Sequence, residues 1–272
     1  MSERDPRRRA PLSAPASIET VATAAAIVDL LAEREEPLGV QMIADLLGMT
    51  KSRISRHMTN LESLGLVARG SSGRGFRLGW RTIRWGQIAS SRMALAQILA
   101  EPLRAFNERS GRTVLLCAAA GGDAIVIQCL PAPRAFRIDV QTGLLLALPH
   151  SPTARVCYAF QPRETRMALI DHLRRREPGF RLENEAAFEV EVAAIQRRYH
   201  SWDANKFSHG YAAIAAPVFD RDMALIASVT VMLPSHEITD ATPPADLVTA
   251  LLACAENCSR QLGSTIRFPA AR

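Results

Sequence analysis

Residues 46–67 read LLGMTKSRISRHMTNLESLGLV. Gly48 follows an apolar pair, where a short helix ends and positive φ is cheapest for glycine. Thr50 is placed to cap a new helix running from Lys51 to about Leu64. Ile54, Met58, Leu61 and Leu64 recur on one side of it. The other side carries Lys51, Ser52, Arg53, Ser55, Arg56, Thr59 and Asn60, which are polar and mostly short or cationic. An amphipathic helix reached from a short helix through a tight turn has the form of a helix-turn-helix.

Working outward, the segment from Lys51 to Arg84 holds eight Lys or Arg residues and one acid, Glu62. A duplex is a dense line of phosphate charge, so a cationic face on a groove-sized helix implies double-stranded DNA as partner. Docking by the N-terminal half of such a helix puts Arg53, Ser55 and Arg56 at or near base edges. Lys51, Ser52 and Asn60 fall on phosphate or at the groove margin. Leu66–Ala68 and Phe76–Leu78 read as strands joined by the turn Ser71–Gly75. Arg74 at its tip faces the sugar-phosphate backbone or the minor groove.

Upstream, a helix capped by Ser17 has apolar positions Ile18, Val21, Ala25, Val28 and Leu31–Ala32, and ends near Arg34 before Pro37. A second helix runs from Val40 to Leu47 with Ile43, Leu46 and Leu47 facing inward. Residues 17–79 therefore read as a winged helix-turn-helix. Residues 1–16 are rich in Arg, Pro and Ala without the apolar stretch of a secretory signal, and read as a disordered tail.

The length of 272 residues suits one large or two ordinary domains. Net charge is +6, and the first 90 residues carry 13 basic and 9 acidic groups, so most of the surplus is local. Five cysteines, odd in number and set in apolar runs, fit reduced buried thiols in a cytoplasmic chain. Cys254 and Cys258 share a helical face without a nearby His, which points to core packing rather than metal. No apolar run reaches the ~18 residues of a membrane span.

Residues 80–100 are helix-compatible and read as a linker, and Pro102 suits the first turn of a further helix to about Arg109. Thr113–Ala119 and Ala124–Leu130 form a hairpin about Gly121-Gly122-Asp123, and Phe136–Val140 reads as an added strand. Thr153–Ala159, Arg163–Arg176 and Glu183–Tyr199 read as helices. Tyr211–Phe219 and Ala224–Leu233 form a second hairpin, and Pro243–Leu262 a closing helix. Strands, then helices, then strands imply an α+β domain over 101–265 with a central antiparallel sheet, and residues 266–272 as a C-terminal tail.

Leu46–Ser52, Arg56, Leu61–Val67 and Phe76–Gly79 together resemble the DNA-binding domain of the IclR family of bacterial transcriptional regulators. Arg53 and His57 depart from the family's small or hydrophobic choices. Gly143 followed by Ser151–Val156, and Ala213–Asp220, resemble segments of the family's GAF-like effector-binding domain. That resemblance implies a pocket bounded by Ser151, Pro152, Thr153, Asp203, Ala213, Thr230 and Met232. It also implies a linker helix that pairs protomers into a dimer or tetramer on a two-fold operator, and a small organic acid, possibly aromatic, as effector.

Read residue by residue, Thr153 equally suits a plain helix cap, Asp203 a solvated loop acid, and Met232 the core. Arg137 and Arg155 are candidate partners for an anion. No Gly-x-Ser-x-Gly elbow, His-Glu-x-x-His or phosphate-binding glycine loop occurs, so neither an enzyme nor a cofactor or metal site is expected. Two other readings stay open: an enzyme with an appended nucleic-acid-binding domain, and a constitutive DNA-binding protein without effector.

Overall fold

The computed structural model describes residues 18–70, 73–92, 94–133, 138–176, 180–182, 184–203, 210–238 and 242–270. The chain divides between Arg92 and Met93 into two compact units. Ser17, the turn residues Ser71 and Ser72, Arg137, and the tail over 1–16 lie outside the described residues.

The first unit contains α1 (Glu19–Ala32), α2 (Val40–Leu46), α3 (Lys51–Ser63), β1 (Val67–Arg69), β2 (Phe76–Leu78) and α4 (Trp80–Arg92). Its core is Ile27, Leu31, Ile43, Ile54, Met58, Leu61, Val67 and Phe76. Gly48 turns the chain at φ +62°, and the Thr50 hydroxyl accepts from the Arg53 amide at 3.4 Å as the cap of α3. Leu38 bridges Phe76 through paired backbone bonds of 3.0 and 2.8 Å, adding a third line to the wing. Gly79 packs so tightly that a Cβ there would stand 2.3 Å from the Gly65 carbonyl oxygen.

Three expectations for this unit are corrected. The inward residues of α1 are Thr23, Ile27 and Leu31, while Ile18 and Val21 are exposed. An Ala-rich helix gives the apolar stripe no sharp phase. Leu46 and Leu64 are exposed because each lies where its helix runs out beyond the core. The helix after Gly79 stops at Arg92.

The second unit opens with α5 (Leu95–Ile98) and α6 (Ala100–Ser110), the latter closed by Gly111 at φ +66°. There follow β3 (Val114–Ala120), β4 (Asp123–Leu130), β5 (Leu145–Leu146), α7 (Pro152–Ala159), α8 (Arg163–Arg176) and α9 (Glu185–Arg198). The unit ends with β6 (Ser201–Asp203), β7 (Tyr211–Phe219), β8 (Leu225–Pro234) and α10 (Ala245–Gln261). The six strands form one antiparallel sheet in the order β5-β4-β3-β8-β7-β6.

Both faces of this sheet are covered, which is why its strands read as unbroken apolar runs. Val114, Leu116, Ile214, Val229, Val231 and Leu233 pack on one side with Phe106 of α6 and Leu251 of α10. Leu115, Cys117, Ala215 and Met232 face the other side, with Val156 of α7 and Ile195 of α9. The described part of the expected strand at 136–140 is not a strand; β5 pairs with β4 on the side away from β3. Ser201–Asp203, unassigned from sequence, pairs with β7 as an edge strand. Beyond α10, Phe268 packs on Tyr199 with ring centres 4.9 Å apart, and its amide donates to Glu256 at 3.1 Å.

Candidate functional site

Two places carry chemistry. The first is the outer side of α3. Ile54, Met58 and Leu61 are buried, while Lys51, Ser52, Ser55, Arg56, Thr59 and Asn60 are exposed on the far side. Arg74 is exposed in the turn closed by Gly70 and Gly75, whose backbone bond is 3.1 Å. Arg53 departs from this set. Its guanidinium donates to Glu19 at 2.8 Å and to Thr23 at 3.3 Å, so it is turned toward α1. Arg69 is likewise engaged within its unit, 3.3 Å from Glu62 and stacked over Phe76 at 4.3 Å.

The second place is a cavity of about 300 Å³ in the α+β unit. Strand register builds its floor. Asp203, Ala213 and Met232 stand side by side across β6, β7 and β8. In the next row on the same face stand Ser201, Ala215, Thr230 and Leu115. Alanines between longer neighbours leave the space. The start of α7 closes one wall with Ser151, Pro152 and Thr153, and the Val140–Ala147 segment supplies another.

All seven residues named from the sequence for a pocket line this one cavity. Leu115, Val140, Leu144, Leu146, His150 and Tyr211, which also line it, were not named. Their share follows from register and loop path, which carry no local sequence signal.

The polar groups of the cavity are few. Thr153 and Thr230 hydroxyls lie 2.8 Å apart, each residue almost wholly buried. Ser151 caps α7 by accepting from the Ala154 amide at 3.4 Å. Asp203 is a buried acid on β6 rather than a solvated loop residue, and its Oδ2 meets no hydrogen-bond partner among the described residues. Arg155 is not in the wall: its Nη2 donates to the Trp202 carbonyl at 2.7 Å. Burial lowers the Arg155 pKa, against the opposing pull of the Asp203 and Glu191 charges.

Comparison with known proteins fits this two-part layout. The family model for the IclR helix-turn-helix domain matches residues 20–71, and that for the bacterial transcriptional regulator IclR C-terminal domain matches residues 87–260. The chain belongs to the IclR family. Among its relatives is the glycerol operon regulatory protein of Streptomyces griseus, 26% identical over 91% of this chain and 98% of the relative. An IclR-family regulator from Brucella abortus superposes with a TM-score of 0.72 at 18% identity, covering 90% of this chain and 92% of that one. An IclR homologue from Microbacterium hydrocarbonoxydans, solved with 4-hydroxybenzoate, superposes with a TM-score of 0.68 at 16% identity, over 90% of this chain and 99% of the other. Those two likenesses bear on the fold. As an IclR-family member, the chain is a transcriptional regulator with a DNA-binding helix-turn-helix and an effector-binding domain, and not an enzyme. Among the described residues no helix is long and apolar enough to cross a membrane.

Proposed function

We propose that this regulator works in the cytoplasm, binds a palindromic operator as a dimer or tetramer, and changes its grip when a small organic acid enters the cavity. The observation that carries the DNA half is the division of α3 into a buried apolar side and an exposed side bearing Lys51, Ser52, Ser55, Arg56 and Asn60. Ser55 and Arg56 meet base edges, while Lys51, Ser52, Asn60 and Arg74 hold phosphates. Arg53 joins them by leaving Glu19. An exposed pair of that kind is worth at most about 1 kcal/mol, so its release is no obstacle.

Trp80, Ile83 and Trp85 are exposed on α4 and offer a second protomer an apolar surface. The effector sits over Ala213, between Asp203 and the Thr153–Thr230 pair. A relative solved with 4-hydroxybenzoate supports an acid, aromatic ones included, as the ligand class. The ligand acts through unequal affinity for protomer arrangements that fit or misfit the operator, a coupling of about 1–3 kcal/mol.

Gel shifts on DNA from the chain's own gene neighbourhood, with and without a panel of carboxylates, test this reading. Sequence-selective binding that one acid weakens or strengthens is expected. Equal affinity for operator and random duplex overturns the DNA half, and indifference to every acid overturns the effector half.

A further inference from the structure

Resting on the effector reading, the cavity also restricts what the effector is. Its one ionisable carboxyl side chain is Asp203, 9% exposed, with Oδ2 unpartnered among the described residues. A buried carboxylate oxygen without a donor costs free energy until a donor arrives. Among the described residues no Lys or Arg lines the cavity. Arg155, which interacts with the Asp203 charge from outside the wall, is held on the Trp202 carbonyl, and a second carboxylate set against Asp203 meets a like charge.

The opposite end is arranged differently. The first turn of α7 has Pro152, which carries no N–H, and its Ala154 and Arg155 amides are taken by Ser151 at 3.4 and 2.9 Å. The Thr153 amide remains, since first-turn amides have no carbonyl within the helix to bond. Of the two hydroxyl protons of Thr153 and Thr230, one is spent between them and the other is available. Two donors at one place seat a single carboxylate.

Distance links the two ends. Asp203 on β6 and Thr230 on β8 are separated by two strand spacings, roughly 10 Å, and by one side-chain repeat of roughly 7 Å along the strand. Between them the floor is Ala213, and the walls are Leu115, Val140, Leu144 and Met232.

We propose that the effector is a monoacid with an apolar body whose far end carries a hydrogen-bond donor, hydroxyl or amino, bonded to Asp203. The acid end meets Thr153 and Thr230, and the body, a ring or short chain, lies over Ala213. A dicarboxylate of the same length places its second carboxylate against Asp203 and is excluded.

Matched sets on one skeleton test the proposal with the full-length chain. One set is benzoate, its para-hydroxy and para-amino derivatives, and terephthalate. The other is hexanoate, its ω-hydroxy and ω-amino derivatives, and adipate. Binding is read by calorimetric titration and by the shift in melting temperature. A hydroxy or amino member is expected to bind about tenfold or more tighter than its unsubstituted parent, with the diacid not binding.

Asp203→Ala should bring the donor-bearing compound down to the level of its parent. Asp203→Asn, nearly isosteric, should let the diacid in, a gain of binding that mere loss of structure does not produce. The proposal is overturned by a diacid or an unsubstituted parent that binds as tightly as the donor-bearing compound, or by a preference that survives both variants. If none of the compounds binds or alters operator affinity, the effector reading itself fails and takes this proposal with it.

Discussion

The hydroxyl of Thr153, in the first turn of α7, and that of Thr230, on β8, are 2.8 Å apart, and each residue is 1% exposed. Removing one partner leaves the other buried without a bond, at a cost of about 1–3 kcal/mol, whereas removing both leaves no orphan. Thr153→Val and Thr230→Val are each expected to lower stability by that amount, and the double variant by clearly less than their sum. Urea unfolding of the four proteins measures the coupling; strict additivity refutes it.

Ala213 separates Asp203 from Met232 in one row of the sheet. Ala213→Leu puts a larger side chain into the space above it. The expected outcome is loss of any effector response with ligand-free operator affinity kept. A variant that still responds to the same compound would place the ligand elsewhere.

Arg53 and Arg56 are one turn apart on α3, yet only Arg53 is paired with Glu19. Arg56→Ala should weaken operator binding and reduce the slope of log affinity against log salt or relax selectivity at one base, costing about 1–3 kcal/mol if it reads a base. Glu19→Gln should change operator affinity by less than fivefold, as a pair worth under about 1 kcal/mol dictates. Normal affinity and selectivity in Arg56→Ala would remove α3 from the interface.

Gly79 has no room for a methyl group, and the obstacle is the Gly65 backbone rather than a movable side chain. Gly79→Ala should therefore destabilise the DNA-binding unit by about 1–3 kcal/mol, the usual range for overpacking. Gly86→Ala, where nothing lies within 4 Å, serves as the control with no loss expected. Thermal melts of both distinguish strain from a general intolerance of alanine.

Burial drives the Cys157 thiol up to about 12 and the Cys117 thiol well above its ordinary value. Cys258 is raised as well, by its hydrogen bond with Cys254 and by burial. Thiolate is the reactive form, so these three should resist iodoacetamide at pH 8 in the folded protein. Mass spectrometry should find Cys129, the least buried of the five, labelled first, and all five labelled in denaturant. Rapid labelling of Cys157 in the native state would contradict the packing of α7 on the sheet.

Much of this molecule was legible before its structure. α3 declared itself because Ile54, Met58 and Leu61 stand at helical spacing against an unbroken polar side, and Gly48 marked the turn. The glycine pair at 121–122 and the polar turn at 220–222 located both hairpins. β6 did not show itself: three residues, Ser201, Trp202 and Asp203, have no period to read, and only pairing with β7 makes them a strand. The same gap hid the burial of Asp203, since a loop acid and an edge-strand acid look alike in one dimension. Arg53 was read as outward for a similar reason. Helical spacing put it on the polar side, but Glu19 and Thr23 lie 34 and 30 positions away in the chain.

β8 divides its labour by parity. Val229, Val231 and Leu233 hold the scaffold against α6 and α10, while Thr230 and Met232 look into the cavity. Evolution can thus retune what this sensor tastes by swapping alternate letters of one strand, leaving the intervening letters, and the architecture they secure, untouched.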